Sequence, residues 1–157
     1  MVKSLYRAFL LGAVLVLMAL MFAFSAQEGP ESNALTETTV MPVAEFFTDI
    51  TRGSEDALVA AYNLMGTVVR KVAHILEYAL LGLLLHLLLM SWGISWRWLP
   101  FVIGVCYAAT DEIHQAFVPG RLGTPVDVLI DAIGVAAGVL IVTCIKRSWR
   151  RTKVHHP

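Results

Sequence analysis

Four apolar runs, each long enough for a membrane-crossing helix, alternate with polar stretches along the chain. The first covers residues 5–24, behind Lys3 and Arg7. Its ~18 apolar positions exceed the ~7 to 15 of a signal-peptide core, which favours a retained helix over cleavage near Ser25 or Ala26. Residues 27–39 then turn polar, with Pro30, Ser32, Asn33 and several threonines and no helical or strand period, and read as a linker. From residue 42 to 65 apolar positions return at helical spacing (Val43, Phe46, Phe47, Ile50, then Leu58, Ala61, Leu64, Met65), broken at Gly53. This predicts one or two amphipathic helices lying on the membrane surface, either as a packed lid or as a gate for substrate.

The second apolar run is 68–90, rich in Leu but carrying Lys71, His74, Glu77, Tyr78 and His86. Trp92, Trp96 and Trp98 with Arg97 mark an interface, where amphipathic rings prefer the headgroup level. The third run covers 99–118 and ends at Pro119 and Gly120. Thr124, Pro125 and Asp127 form a helix start (hydroxyl cap, proline in the first turn, acid at the positive dipole end), so the fourth run is 125–145.

Composition fixes the solvent. Of 157 residues 57% are hydrophobic and only 15% charged, with a mean hydropathy of +0.69, which is too apolar for an ordinary water-soluble domain. The expected fold is an all-α integral membrane protein of four transmembrane helices in a single domain over residues 1–157. An extracytoplasmic amphipathic insert (28–66) lies between the first and second spans, and a basic tail (146–157) follows the last. Cys106 and Cys144 fall inside apolar runs without metal or disulfide spacing.

The net charge of zero hides an asymmetry. Lys146, Arg147, Arg150, Arg151 and Lys153 stand together without an acid, either as a topology anchor or as a site for anionic lipid. Placing both termini in the cytoplasm puts these five with Lys3, Arg7 and Arg97 inside, against Arg52, Arg70, Lys71 and Arg121 outside. The positive-inside rule favours that placement in a bacterial cytoplasmic membrane. Every acid then belongs to an outer loop or the outer half of a helix.

Four alternating spans bring four polar ends to one face: Ser25 and Gln27 after the first; Lys71, His74, Glu77 and Tyr78 opening the second; Asp111, Glu112, His114 and Gln115 closing the third; Asp127 and Asp131 opening the fourth. At ~1.5 Å per residue, His74, Asp111, Gln115, Asp127 and Asp131 lie roughly 5 to 10 Å inside their helix ends, in one layer. A charge at mid-bilayer costs about 2.5 to 3.5 kcal/mol, so these groups must pair. The expectation is an outward-facing polar pocket in which Lys71, His74 and Arg121 meet Asp111, Glu112, Asp127 and Asp131. A buried network that merely fixes helix register is the alternative. Gly134 and Gly138 read as a close helix-packing stripe, and His86, alone near the inner end, as a satisfied interfacial histidine.

The chain resembles the VanZ-like membrane family. The resemblance rests on Phe24, Ser25 and Gln27; on Lys71, His74, Tyr78 and Leu81; on Asp111, Glu112, Gln115, Phe117, Pro119, Gly120, Arg121 and Asp127; and on Gly134 and Gly138. The run from Asp111 to Arg121 is its most specific part. Ala26 stands where the family often has a second serine, and Asp131 where it often has asparagine. The resemblance implies a cell-envelope protein, and the family's namesake is linked to resistance to teicoplanin, a lipoglycopeptide acting at the outer surface.

Two functions compete for these residues. In the first, the pocket binds a membrane lipid headgroup or lipid-linked cell-wall precursor without catalysis, with Lys71 and Arg121 on phosphate or carboxylate. In the second, an enzyme acts on a lipid-linked substrate, with Asp111 or Glu112 as base, His74 as acid or base and Arg121 stabilising charge. A divalent cation, Mg²⁺ or Ca²⁺, held between Asp111, Asp127 and Asp131 would assist water attack. Proton-coupled transport ranks third, because apart from His86 the inner helix halves lack polar residues. No nucleic-acid partner is expected.

Overall fold

In lipid a backbone satisfies its polar groups only within a helix or a closed barrel, and runs rich in Leu, Val and Ala form the helix. The computed structural model describes residues 1–26, 29–51, 53–121 and 123–154, with the backbone alone for 29–36 and 150–154. It is all-α: α1 (Val2–Ser25), α2 (Gly29–Thr51), α3 (Glu55–Ser91), α4 (Trp98–Gln115) and α5 (Pro125–Val154), with no strand among the described residues. Three of these, α1, α3 and α5 as far as Trp149, are long and apolar enough to cross a membrane. The chain is a membrane protein. Asp111, Glu112, His114 and Gln115 in the last two turns of α4 keep that helix below the apolarity of the other three.

Helix directions follow from the contacts. Lys71 meets Asp127 at one end of α3 and α5, and Lys146 meets Met90 at the other, so these two helices run parallel. α1 and α4 run the opposite way: Arg7 Nε donates to the Ser91 carbonyl, Tyr107 to the Met18 carbonyl and Ser25 to Asp111. Leu10, Val14 and Met21 of α1 close a core with Tyr78, Leu81, Leu85, Leu88, Ala108, Val135 and Val139. Outside it, Leu15, Leu76, Leu80, Ile113, Leu129, Ile133 and Leu140 are exposed, an apolar surface that only lipid would tolerate.

The α3–α5 crossing is the tightest contact. A Cβ at Gly138 would stand 1.9 Å from the Ala79 carbonyl oxygen, and one at Gly134 2.5 Å from that of Ile75. Only glycine lets the two backbones approach this closely, as the spacing of these residues predicts. His86 is satisfied, Nδ1 lying 3.1 Å from the Val139 carbonyl, but it is buried in this same crossing rather than placed at an interface.

Two expectations for residues 27–66 are corrected. The stretch read as a linker is helical from Gly29 on, through Pro42. Packing overrides composition here: Val40 and Ala44 are buried, and α2 lies along α3. The second expected surface helix is instead the first part of α3. Ser54 caps it, its Oγ accepting from the Ala57 amide at 3.3 Å, with Glu55 and Asp56 in the first turn. No breaker separates it from the apolar run, so the 37-residue helix is continuous. At ~1.5 Å per residue it is about 55 Å long, well beyond a hydrocarbon core of ~30 Å.

Candidate functional site

Two helix termini fix the backbone around the polar end. The α5 N-terminus is a reciprocal cap: the Asp127 amide donates to Thr124 Oγ1 at 3.2 Å, and the Thr124 hydroxyl donates to Asp127 Oδ2 at 2.8 Å. Beyond α4 the chain turns through 116–120, where Gly120 takes φ +76°, a left-handed conformation that glycine adopts without strain. The Thr124 amide then donates to Glu112 Oε2 at 2.9 Å, tying the connection back onto α4.

Three polar groupings form at this end. Lys71 Nζ pairs with Asp127 Oδ1 at 2.5 Å, part-exposed at the rim. His74 Nδ1 lies 3.7 Å from Asp131 Oδ1, one helical turn deeper on both helices. Asp111 Oδ2 accepts from Ser25 Oγ at 2.7 Å, from Gln115 Nε2 at 3.3 Å and from Tyr78 Oη at 3.4 Å. Gln115 Nε2 also donates to Ser25 Oγ at 3.0 Å. Tyr78 is fully buried, its ring 6.4 Å from that of His74 and 6.2 Å from that of Tyr107.

The arrangement is unevenly satisfied. Asp111 is 2% exposed and Asp131 1%, yet Asp111 Oδ1 and Asp131 Oδ2 have no hydrogen-bond partner. A buried, unpartnered carboxylate oxygen is costly, so this layer favours an added hydrogen-bond donor. Arg121 is the complementary case: half-buried, its guanidinium makes no hydrogen bond or ion pair among the described residues. Burial first, and then the neighbouring Arg70 charge, lowers its affinity for its proton, while Asp111 and Glu112 oppose the shift.

Of the expected site residues, the fold brings together Ser25, Lys71, His74, Tyr78, Asp111, Glu112, Gln115, Asp127 and Asp131, with Arg121 within electrostatic reach of Asp111 and Glu112. Glu77 lies at the same level and makes no side-chain hydrogen bond or ion pair among the described residues. His114 turns aside, its ring stacked on Phe22 at 4.2 Å with Nε2 buried and unpartnered. Gln27 lies outside the described residues.

The expected cation triad does not assemble. Among the described residues no three of His, Cys, Asp and Glu form a group able to hold a metal ion. Lys71 and Thr124 occupy the Asp127 carboxylate at the rim, while Asp111 Oδ2 is already bonded to Ser25, Gln115 and Tyr78. The residues present therefore do not fit Mg²⁺ or Ca²⁺ held by Asp111, Asp127 and Asp131.

Two contributors went unread in the sequence. Tyr107 stands four residues before Asp111 on α4 and ties that helix to α1, a spacing that could have flagged it. Arg70, next to Lys71, was counted only as an outer charge, although it acts on Arg121.

The family model described as VanZ/LLP1 matches residues 10–146, nearly the whole chain. The chain belongs to the VanZ/LLP1 family. No curated protein and no solved structure matches it. The VanZ/LLP1 match takes in α2 as well as the four helices that carry the polar site.

Proposed function

We propose that this VanZ/LLP1 protein binds the anionic headgroup of a membrane lipid or lipid-linked cell-wall precursor at the polar end of its bundle. In this reading α4 is the fourth transmembrane helix, both termini are cytoplasmic, and the site opens to the outer face of a bacterial cytoplasmic membrane. The α2–α3 extension is then extracytoplasmic.

The observation that carries the reading is Arg121, a half-buried guanidinium with no acceptor among the described residues. A planar fork of five donors matches phosphate or carboxylate two bonds at a time. Lys71, already shared with Asp127, supplies a second positive group that a ligand would compete for. Arg70 raises the positive potential beside Arg121. The buried Asp111 and Asp131 oxygens below them would take the donor groups of the same headgroup. In this reading headgroup binding would give the protein a part in glycopeptide resistance of the teicoplanin type, as its resemblance to the VanZ-like family implies.

A second reading has its own support. The unpartnered, buried oxygens of Asp111 and of Asp131, the latter beside His74, would serve as proton acceptors for acid/base chemistry on a lipid-linked substrate at the outer leaflet. One experiment separates the two. Cells expressing wild type, Asp111→Asn or Arg121→Gln are profiled for envelope lipids and cell-wall precursors, with teicoplanin susceptibility scored alongside and membrane insertion checked. Binding predicts that both variants change susceptibility while lipid and precursor chemistry stays constant. A product that accumulates only with wild type makes the protein an enzyme. Unchanged susceptibility and unchanged chemistry in both variants refute both readings.

A further inference from the structure

Away from the polar site, α2 carries an apolar stripe that nothing among the described residues covers. Val43, Phe46, Phe47 and Ile50 stand at the i, i+3, i+4, i+7 positions of one helix face and are 41–64% exposed. Buried Val40 and Ala44 adjoin the stripe on the side of Val43 and Phe47, while Phe46 and Ile50, farthest round the helix from that buried pair, are its most exposed members.

Its surroundings are strongly acidic. Residues 27–66 contain Glu28, Glu31, Glu37, Glu45, Asp49, Glu55 and Asp56 against the single base Arg52, which is seven of the chain's twelve acids. Glu45 and Asp49 are exposed along one edge of the stripe, and Glu55 and Asp56 stand in the first turn of α3. None of these four makes an ion pair among the described residues.

Charge decides between the possible occupants. An anionic lipid surface is repelled, since each charge near such a surface is worth about 1 kcal/mol with the sign reversed here. A second copy would oppose acids to acids. The chain's own basic segment, beginning at Lys146, lies at the far end of α3 beside Met90, about 50 Å of helix from Ser54.

We propose that this face docks a basic, apolar-bearing helical segment of a partner protein, whose Lys and Arg side chains meet Glu45, Asp49, Glu55 and Asp56 while its apolar residues pack on Phe46, Phe47 and Ile50. One helix face makes a small, transient interface, so the dissociation constant falls on the order of 1–100 µM and rises with salt.

The test uses the full chain in nanodiscs of uncharged lipid, with a fluorescent amphipathic Leu/Lys peptide as probe and a Leu/Glu peptide as its opposite. The expected result is Leu/Lys binding at least about tenfold tighter than to empty nanodiscs, and none by Leu/Glu. Phe46→Ser with Phe47→Ser should remove that gain, as should Glu45→Lys with Asp49→Lys; all four positions are exposed, so folding is spared. Equal binding by either paired variant and wild type overturns the proposal, as does equal binding of the two peptides. Quenching of a Phe47→Trp variant by brominated lipid would assign the stripe to the bilayer, and cross-linking of Phe46→Cys into dimers would assign it to a second copy. Either result also overturns it.

Discussion

Replacing Gly138 with alanine tests whether the α3–α5 crossing is what assembles the polar end. The added Cβ would stand 1.9 Å from the Ala79 carbonyl oxygen and 2.7 Å from the Leu83 amide nitrogen, both backbone atoms that cannot rotate away. Ordinary contact begins at 3.4 Å, so the helices must separate by roughly 1.5 Å at this point. Overpacking of this kind costs about 2–3 kcal/mol, partly offset by alanine's better helix propensity of up to ~1 kcal/mol. For a chain of this size, a net loss near 2 kcal/mol lowers the melting temperature by about 4–8 °C. Fluorescence-detected size-exclusion chromatography of detergent-solubilised protein after a temperature ramp measures the shift. Gly12→Ala is the internal control: a Cβ there meets nothing within 4 Å, and the expected change is zero or slightly stabilising. Separation at Gly138 also pulls Asp131 from His74 and Asp127 from Lys71, whose closeness depends on the same two helices. A Gly138→Ala protein as stable as wild type, or one no less stable than Gly12→Ala, refutes the reasoning.

Three further outcomes are expected. Ser25→Ala removes both the hydroxyl donated to Asp111 and the acceptor used by Gln115, at a cost of about 1–3 kcal/mol because both partners are buried; Ser25→Thr, which keeps the hydroxyl, should retain more stability in the same melting assay. Lys71→Met breaks a part-exposed ion pair and should cost less than about 1 kcal/mol, whereas Asp127→Ala also removes the α5 cap and should cost about 1–2 kcal/mol more; equal melting temperatures would show that the cap contributes nothing. His86→Leu should lower stability modestly through loss of the Val139 contact while leaving teicoplanin susceptibility at the wild-type level, and a lost phenotype at normal expression would give His86 a functional role.

How far the sequence could be read depended on which force dominated each segment. The apolar runs were legible because lipid rewards uninterrupted helix, and the observed α1, α4 and α5 begin or end within a few residues of the expected 5–24, 99–118 and 125–145, with α5 running on into the basic tail. The meeting of Ser25, His74, Asp111 and Asp131 was legible from topology, since helices of alternating direction return their polar ends to one place. Residues 29–39 were illegible for the opposite reason. Their threonines and Pro30 carry a weak local preference, which loses to the packing of the helix they begin against α3, and no single-chain pattern reports that partner.

The failed cation triad carries the same distinction down to single atoms. Helical phase placed Asp111, Asp127 and Asp131 at related depths, but it could not say that Lys71 would reach Asp127 first or that Ser25, Gln115 and Tyr78 would converge on one oxygen of Asp111. What those bonds leave over is more informative than the acids themselves. Among the described residues two buried carboxylate oxygens lack a donor, and a half-buried guanidinium lacks an acceptor. A network that served only to fix helix register would gain by pairing Arg121 with one of those acids, which lie within its electrostatic reach. Holding the cation and the acids apart costs stability, and a ligand bearing both an anionic group and hydrogen-bond donors would recover it.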